Sequence, residues 1–285
     1  MIGLSDLILG ALEGYAWEEL EAFINSFQQV KWENCDLVLF VRKLSARNLR
    51  RLQEKEIKVL PIDDDLADEF IIDIRWKMYK RFLEKYCKNY HQVLLTDVAD
   101  VILQKDLFTQ YANKDKFIGV AVERSSIADD VYTSRWIADR FGQEVYCRYK
   151  DFPVICCGTT WGTVLEIIRY CDKMSELIFS YRRFWGAEQA CANYIVYENL
   201  MPDVDFIKSK AGIDDVSTVG VMKSVSVYDK FILNDDGSIP AVVHQYNRHL
   251  HLCELVNTQY TNRSKWIRFM LQHDKTKKIL RHCPL

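Results

Sequence analysis

Short apolar runs and amphipathic stretches take turns along the first hundred residues. "DLILGAL", residues 6–12, is apolar enough for a buried strand, and "AWEELEAFINSFQQV" puts Leu20, Phe23, Ile24 and Phe27 on one helical stripe. "DLVLFV" (36–41) predicts a second strand, and "SARNLRRLQEKE" opens as a helix with Ser45 as N-cap. "IKVLPI" predicts a third strand, stopped near Pro61. In "IDIRWKMYKRFLEKYCKNY", Tyr79, Phe82, Leu83 and Tyr86 fall at i, i+3, i+4 and i+7, which predicts a helix packed on a sheet. The next stretch, "QVLLTD", contains Val93, Leu94 and Leu95 in a row and predicts a strand buried on both faces. Strands alternating with helices predict an α/β fold, a mostly parallel central sheet flanked by helices.

Past residue 110 the alternation loosens. "KFIGVAVE" and "FPVICCGTTWGT" predict strands, "GTVLEIIRYCDKMSELIFSYRR" and "GAEQACANYIVYEN" predict helices, and "PAVVHQYNRH" predicts a late strand running into a loop. No repeat, low-complexity tract or Pro/Gly/Ser-rich linker interrupts the chain. One continuous domain over residues 1–250 is expected, with 251–285 as a C-terminal helical extension. In that extension Trp266, Phe269 and Met270 fall on one helical side before a basic tail, a pattern that fits a docked helix or a peripheral membrane contact.

Composition narrows the setting. With 285 residues, 49% hydrophobic, the chain can build one large core. Its 38 basic residues against 40 acidic ones leave a net charge of -2, so nucleic acid is not expected as a partner and any anion must be gripped locally. Nine cysteines without a Cys-x-x-Cys pair suit a reducing compartment. The N-terminus lacks a basic start and no apolar run approaches eighteen residues, so a soluble cytoplasmic protein is expected.

The candidate chemistry begins in "VLLTDVADVILQKDLF" (93–108), where Asp97 and Asp100 follow the buried run. Ligands of open α/β sheets sit outside the carboxyl ends of the strands, where Asp97 is expected. Residues three apart on a straight strand point to opposite faces, so the two carboxylates share a target only if the chain turns at Ala99. Converging carboxylates repel unless a cation or proton separates them, and hard divalent ions accept such oxygens. A plain Asp-rich turn carries the same spacing.

Several segments together resemble one family. "VLLTDVADVILQKDLF" looks like the DxD region of GT-A nucleotide-sugar glycosyltransferases, in an Asp-x-x-Asp form. "FWGAEQACANY" resembles the Gly-x-Asp-Gln helix start of the retaining, galactosyltransferase-like branch, "PAVVHQYNRH" resembles a late His-Gln-Tyr-Asp-Arg loop, and "VICCGTTWGT" the small-residue turn under the donor sugar. The resemblance implies a single-domain, GT-A type α/β fold with a Rossmann-like sheet. It implies Asp97, Asp100 and His244 as ligands of Mn²⁺ or Mg²⁺, and mixed O and N ligation suits Mn²⁺. It further implies Tyr15, Arg75, Asp97, Gly158 and Arg248 around a nucleotide-sugar donor, with Gln189 and Glu188 as catalytic residues shaping the sugar pocket. Glu188 stands where the family usually has Asp and Asn247 is a second departure, so the sugar gripped stays open.

The activity implied is metal-dependent transfer of a sugar from a UDP-sugar, or second a GDP-sugar, to a glycan or glycoconjugate hydroxyl with retention of the anomer. An inverting enzyme with Glu188 as general base, or a decayed sugar-nucleotide-binding module, are the alternatives. Ala99 stands where a haloacid-dehalogenase phosphatase would need its second Asp, and no glycine-rich basic loop for a triphosphate follows the first strand.

Overall fold

The computed structural model describes residues 4–66, 68–180 and 184–261. β1 (Ser5–Glu13), α1 (Trp17–Gln29), β2 (Cys35–Arg42), α2 (Ala46–Glu54), β3 (Lys58–Pro61), α3 (Ile71–Tyr86) and β4 (Tyr90–Thr96) follow in the predicted order. The Ser45 side chain caps α2 by accepting from the Asn48 amide. Then come β5 (Val101–Leu103), β6 (Phe117–Ser126), α4 (Val131–Phe141), α5 (Gln143–Tyr149), β7 (Pro153–Thr163), α6 (Val164–Ser180) and α7 (Ala187–Tyr197). The chain continues through β8 (Asp205–Lys210), β9 (Val216–Thr218), β10 (Ser226–Tyr228), β11 (Phe231–Leu233), β12 (Val242–His244) and α8 (Leu250–Tyr260).

Seven strands form the central sheet in the order β3-β2-β1-β4-β7-β6-β8. β1 to β4 are mutually parallel, β7 runs antiparallel to β4 and β6, and β8 is parallel to β6. Val93, Leu94 and Leu95 are buried as their unbroken apolar run requires. Alternation along β1 and β4 splits the core: Leu7, Leu9, Val93 and Leu95 join α3 and α6 on one face, and Ile8, Leu12 and Leu94 join α1 on the other. Each large side chain fully buried there stabilises the fold by about 1.5–3 kcal/mol.

A second, three-stranded sheet, β5-β12-β9, decides where the late residues go. β12 runs antiparallel to β5, pairing His244 with Val101, and parallel to β9, pairing it with Thr218. The Ser26 hydroxyl of α1 accepts from the Leu103 amide at 3.1 Å, tying this sheet to the main core.

Not every element is written in the apolar pattern. The buried positions of α4 include Thr133 and Arg140, so its stripe is broken. Its ends are nonetheless marked, by Asp130, which accepts from the Tyr132 and Thr133 amides, and by Gly142 at φ 92. β8 and β10 are short with mostly exposed or half-buried residues, and the three-residue β11 is too short a run to stand out, although Ile232 is buried. α8 packs on α1, with Leu252, Val256 and Tyr260 beside Ala22, and Asn25 Nδ2 donates to the Tyr260 carbonyl at 2.7 Å. The remainder of the expected C-terminal extension, from residue 262, and the end of the predicted helix at 181–183 lie outside the described residues. Among the described residues no helix is long and apolar enough to cross a membrane, and all eight cysteines are free thiols.

Candidate active site

The exit of β4 builds the site. The Asp97 amide donates to the Gly158 carbonyl at 2.8 Å, which holds the first carboxylate at the strand end. The chain then bends through residues 98–100. Val98, 2% exposed, turns inward over Gly10, where a Cβ would come within 2.5 Å of Val98 Cγ1. This bend turns Asp100 to the side of Asp97, and β5 starts one residue later. The Asp100 carbonyl accepts from the Gln245 amide at 2.8 Å, carrying the β5–β12 pairing up to the site.

The result is a convergence of three side chains. His244 Nε2 lies 3.5 Å from Asp97 Oδ2 and 3.6 Å from Asp100 Oδ1. Asp97, Asp100 and His244 each offer a ligand atom within 4.8 Å of the others, a group able to hold a metal ion. Gly158 leaves the room, since a Cβ there would lie 2.3 Å from His244 Cε1 and 2.6 Å from Asp97 Oδ2.

The electrostatics agree with a site short of positive charge. Burial pushes the Asp97 carboxyl up, but Arg75 and His244 more than reverse this and hold it well below the usual carboxylate range. Asp100 goes the other way, raised first by burial and then by Asp97, against the pull of His244 and Arg248. Burial alone would lower His244, yet Cys156, Asp100 and Asp97 hold it well above the ordinary histidine range. Two carboxylates and an imidazole packed this closely fit a divalent cation, which would replace the proton on Nε2.

Arg75 is the buried counter-ion of the site. Only 6% exposed, it places NH1 at 2.5 Å from Asp97 Oδ1 and NH2 at 2.8 Å from Glu188 Oε2. Glu188 also accepts from Trp76 Nε1 at 3.3 Å. Its longer side chain therefore reaches back to α3, and burial raises its carboxyl to about 7 against the pull of Arg75. Gln189 Oε1 accepts from the Cys157 amide at 3.0 Å, which orients the side chain against β7. These two side chains stand on the first turn of α7, which Gly186 enters in the left-handed region at φ 87, with the Trp136 ring where a Cβ would sit.

The outlying candidates are spread around this centre. Tyr15, half-buried in the loop after β1, has its hydroxyl pushed up to about 12, first by burial and then by Asp97 and Asp100. Arg248 is exposed, its stem passing over Gly220, and its charge reaches Asp100. His249 Nε2 is engaged with the Val219 carbonyl at 2.8 Å. Sequence reasoning missed three neighbours: Trp76, which holds Glu188, and the buried pair Cys156 and Glu123 behind His244. Trp76 and Cys156 look like ordinary core residues of a helix and a strand, whereas a glutamate in the otherwise apolar "FIGVAVE" run is itself unusual.

No protein-family model matches the sequence, and no curated protein matches it. Solved structures do. The galactosyltransferase LgtC, in complex with donor and acceptor sugar analogs, aligns with a TM-score of 0.54 at 14% identity over 92% of this chain and 99% of that one. The bifunctional glycosyltransferase WbbM gives 0.57 at 11% identity, over 97% of this chain and 52% of that one. GlyE, a glycosyltransferase of Streptococcus pneumoniae TIGR4, gives 0.54 at 13% identity, over 96% and 64%. The chain has the GT-A glycosyltransferase fold.

Proposed function

We propose that the protein is a metal-dependent glycosyltransferase that moves a sugar from a nucleotide-diphosphate donor, a UDP-sugar, to a hydroxyl of a glycan or glycoconjugate, with retention of the anomer. The observation that carries this reading is the meeting of Asp97, Asp100 and His244 at the carboxyl end of a central strand of a GT-A fold. Those three side chains would hold Mn²⁺ or Mg²⁺. When bound, the cation supplies positive charge against which a departing diphosphate is stabilised.

The remaining residues bind and orient. Tyr15, in the loop after β1, offers an aromatic face to the base, and exposed Arg248 offers a guanidinium to the diphosphate. Arg75 fixes Asp97 and Glu188 in one geometry, and Trp76 holds the Glu188 carboxylate from α3, where it shapes the sugar pocket. Gln189, oriented by the Cys157 amide, stands beside the sugar pocket. Domain assignment follows the same lines: residues 1–250 form the catalytic unit and 251–285 a C-terminal extension.

The test is Mn²⁺-dependent release of nucleoside diphosphate across a panel of nucleotide sugars, with the product anomer read by NMR. Asp97→Ala and Asp100→Ala should each lower turnover by about 100-fold or more while melting cooperatively. Unchanged turnover in both variants overturns the metal assignment, and an inverted product overturns the stereochemical one.

A further inference from the structure

Behind His244, on the side away from the two aspartates, stand a buried thiol and a buried carboxylate that the proposed reaction leaves unused. Cys156 of β7 is 3% exposed and Glu123 of β6 is 6% exposed. Ala121 pairs with Cys156 across the two strands, and Glu123, two residues on, faces the same side and is the diagonal neighbour of Cys156. Burial raises the Glu123 carboxyl, against the pull of Arg248, His244 and the neighbouring Cys156 thiol. On its other side Cys156 Sγ lies 3.5 Å from His244 Nδ1.

With a cation in place of the Nε2 proton, one arrangement of the remaining protons suits this row. His244 Nδ1–H donates to the sulfur, the thiol S–H donates to Glu123, and Nε2 is left with a lone pair facing Asp97 and Asp100. The opposite tautomer would aim an N–H between potential metal ligands and leave Nδ1 competing with Glu123 for the thiol proton. Metal-bound histidines are held by a hydrogen bond from their second nitrogen, and here the group beside that nitrogen is the Cys156 thiol, with Glu123 as its diagonal neighbour.

The geometry points to a carboxylate–thiol–imidazole relay, Glu123 to Cys156 to His244, in which Glu123 and Cys156 are positioning residues that lock the His244 ring and tautomer for metal binding. This rests on the proposed metal site. The relay needs a group at position 156 that both accepts and donates a hydrogen bond. Serine does so, whereas alanine and valine do neither, and valine keeps the volume filled.

The test is the affinity of the full chain for Mn²⁺ alone, without nucleotide, read from the free-ion signal by electron paramagnetic resonance. Cys156→Ala and Cys156→Val should each weaken binding by about 10- to 100-fold, and Cys156→Ser should stay within about threefold of the parent. Parent-like affinity in both the alanine and valine variants overturns the relay. Asp97→Ala and His244→Ala separate the two claims: if they too bind Mn²⁺ normally the metal reading fails, and if only they lose it the relay alone fails. Should the Cys156 variants not fold, the ¹⁵N spectrum of the Mg²⁺-loaded parent decides, an Nδ1–H signal for His244 supporting the relay and an Nε2–H signal overturning it.

Discussion

Arg75 shows how one side chain can serve two elements at once. Its planar fork bridges Asp97, at the end of β4, and Glu188, at the start of α7, two segments that meet only in the folded chain. Removing one partner of a buried ion pair leaves the other charge uncompensated, which costs more than the pair itself contributes. Arg75→Met should therefore destabilise the protein by about 3–5 kcal/mol in a urea titration, and Glu188→Gln combined with it should recover part of that loss. A cost below about 1 kcal/mol for Arg75→Met would mean the pairing is solvated and carries little weight. From sequence, an arginine on the cationic helix "IRWKMYKR" looks equally suited to solvent, because nothing local distinguishes a charged residue facing water from one facing Glu188, far along the chain.

At the level of strands and helices, the site is made by a break in regularity. β6 and β7 pair in register at Val120 with Thr160, then at Ala121 with Cys156, so Cys157, Gly158 and Thr159 bulge from the ladder. That bulge carries the Gly158 carbonyl to the Asp97 amide and the Cys157 amide to Gln189. Because a Cβ at position 158 would overlap both Asp97 and His244, Gly158→Ala should fold with the parent's circular dichroism yet bind Mn²⁺ at least tenfold more weakly in the same titration. Parent-like binding would show that the neighbouring side chains yield without cost. The glycine itself is readable in "VICCGTTWGT" as a position for close approach, but the bulge that gives it a purpose depends on two partner strands that the segment does not contain.

Across the molecule, the sheet buries charge at its ends as well as at its centre. Asp6, at the start of β1, has its carboxyl raised from 3.8 to about 6, first by burial, with the Gln92 amide opposing. Its folded-state value lies above its unfolded one, so the contribution it makes is complete below about pH 3.8 and is lost as the pH rises through about 6. Asp6→Asn, neutral throughout, should match the parent in thermal melts at pH 4 and exceed it by about 1 kcal/mol at pH 8, after allowance for its half-buried position. Equal stability at both pH values would count against the burial argument. The sequence by itself determined the elements of the first hundred residues and the pair of aspartates leaving β4, because periodicity, capping and strand-end placement are local properties that short segments carry whole. Only the tertiary structure decided that β5 and β12 pair, that β7 bulges, that Arg75 pairs with both Asp97 and Glu188, and that Cys156 and Glu123 stand behind His244. Those outcomes depend on contacts between residues far apart in the chain, where burial and pairing are set by what the rest of the fold brings alongside.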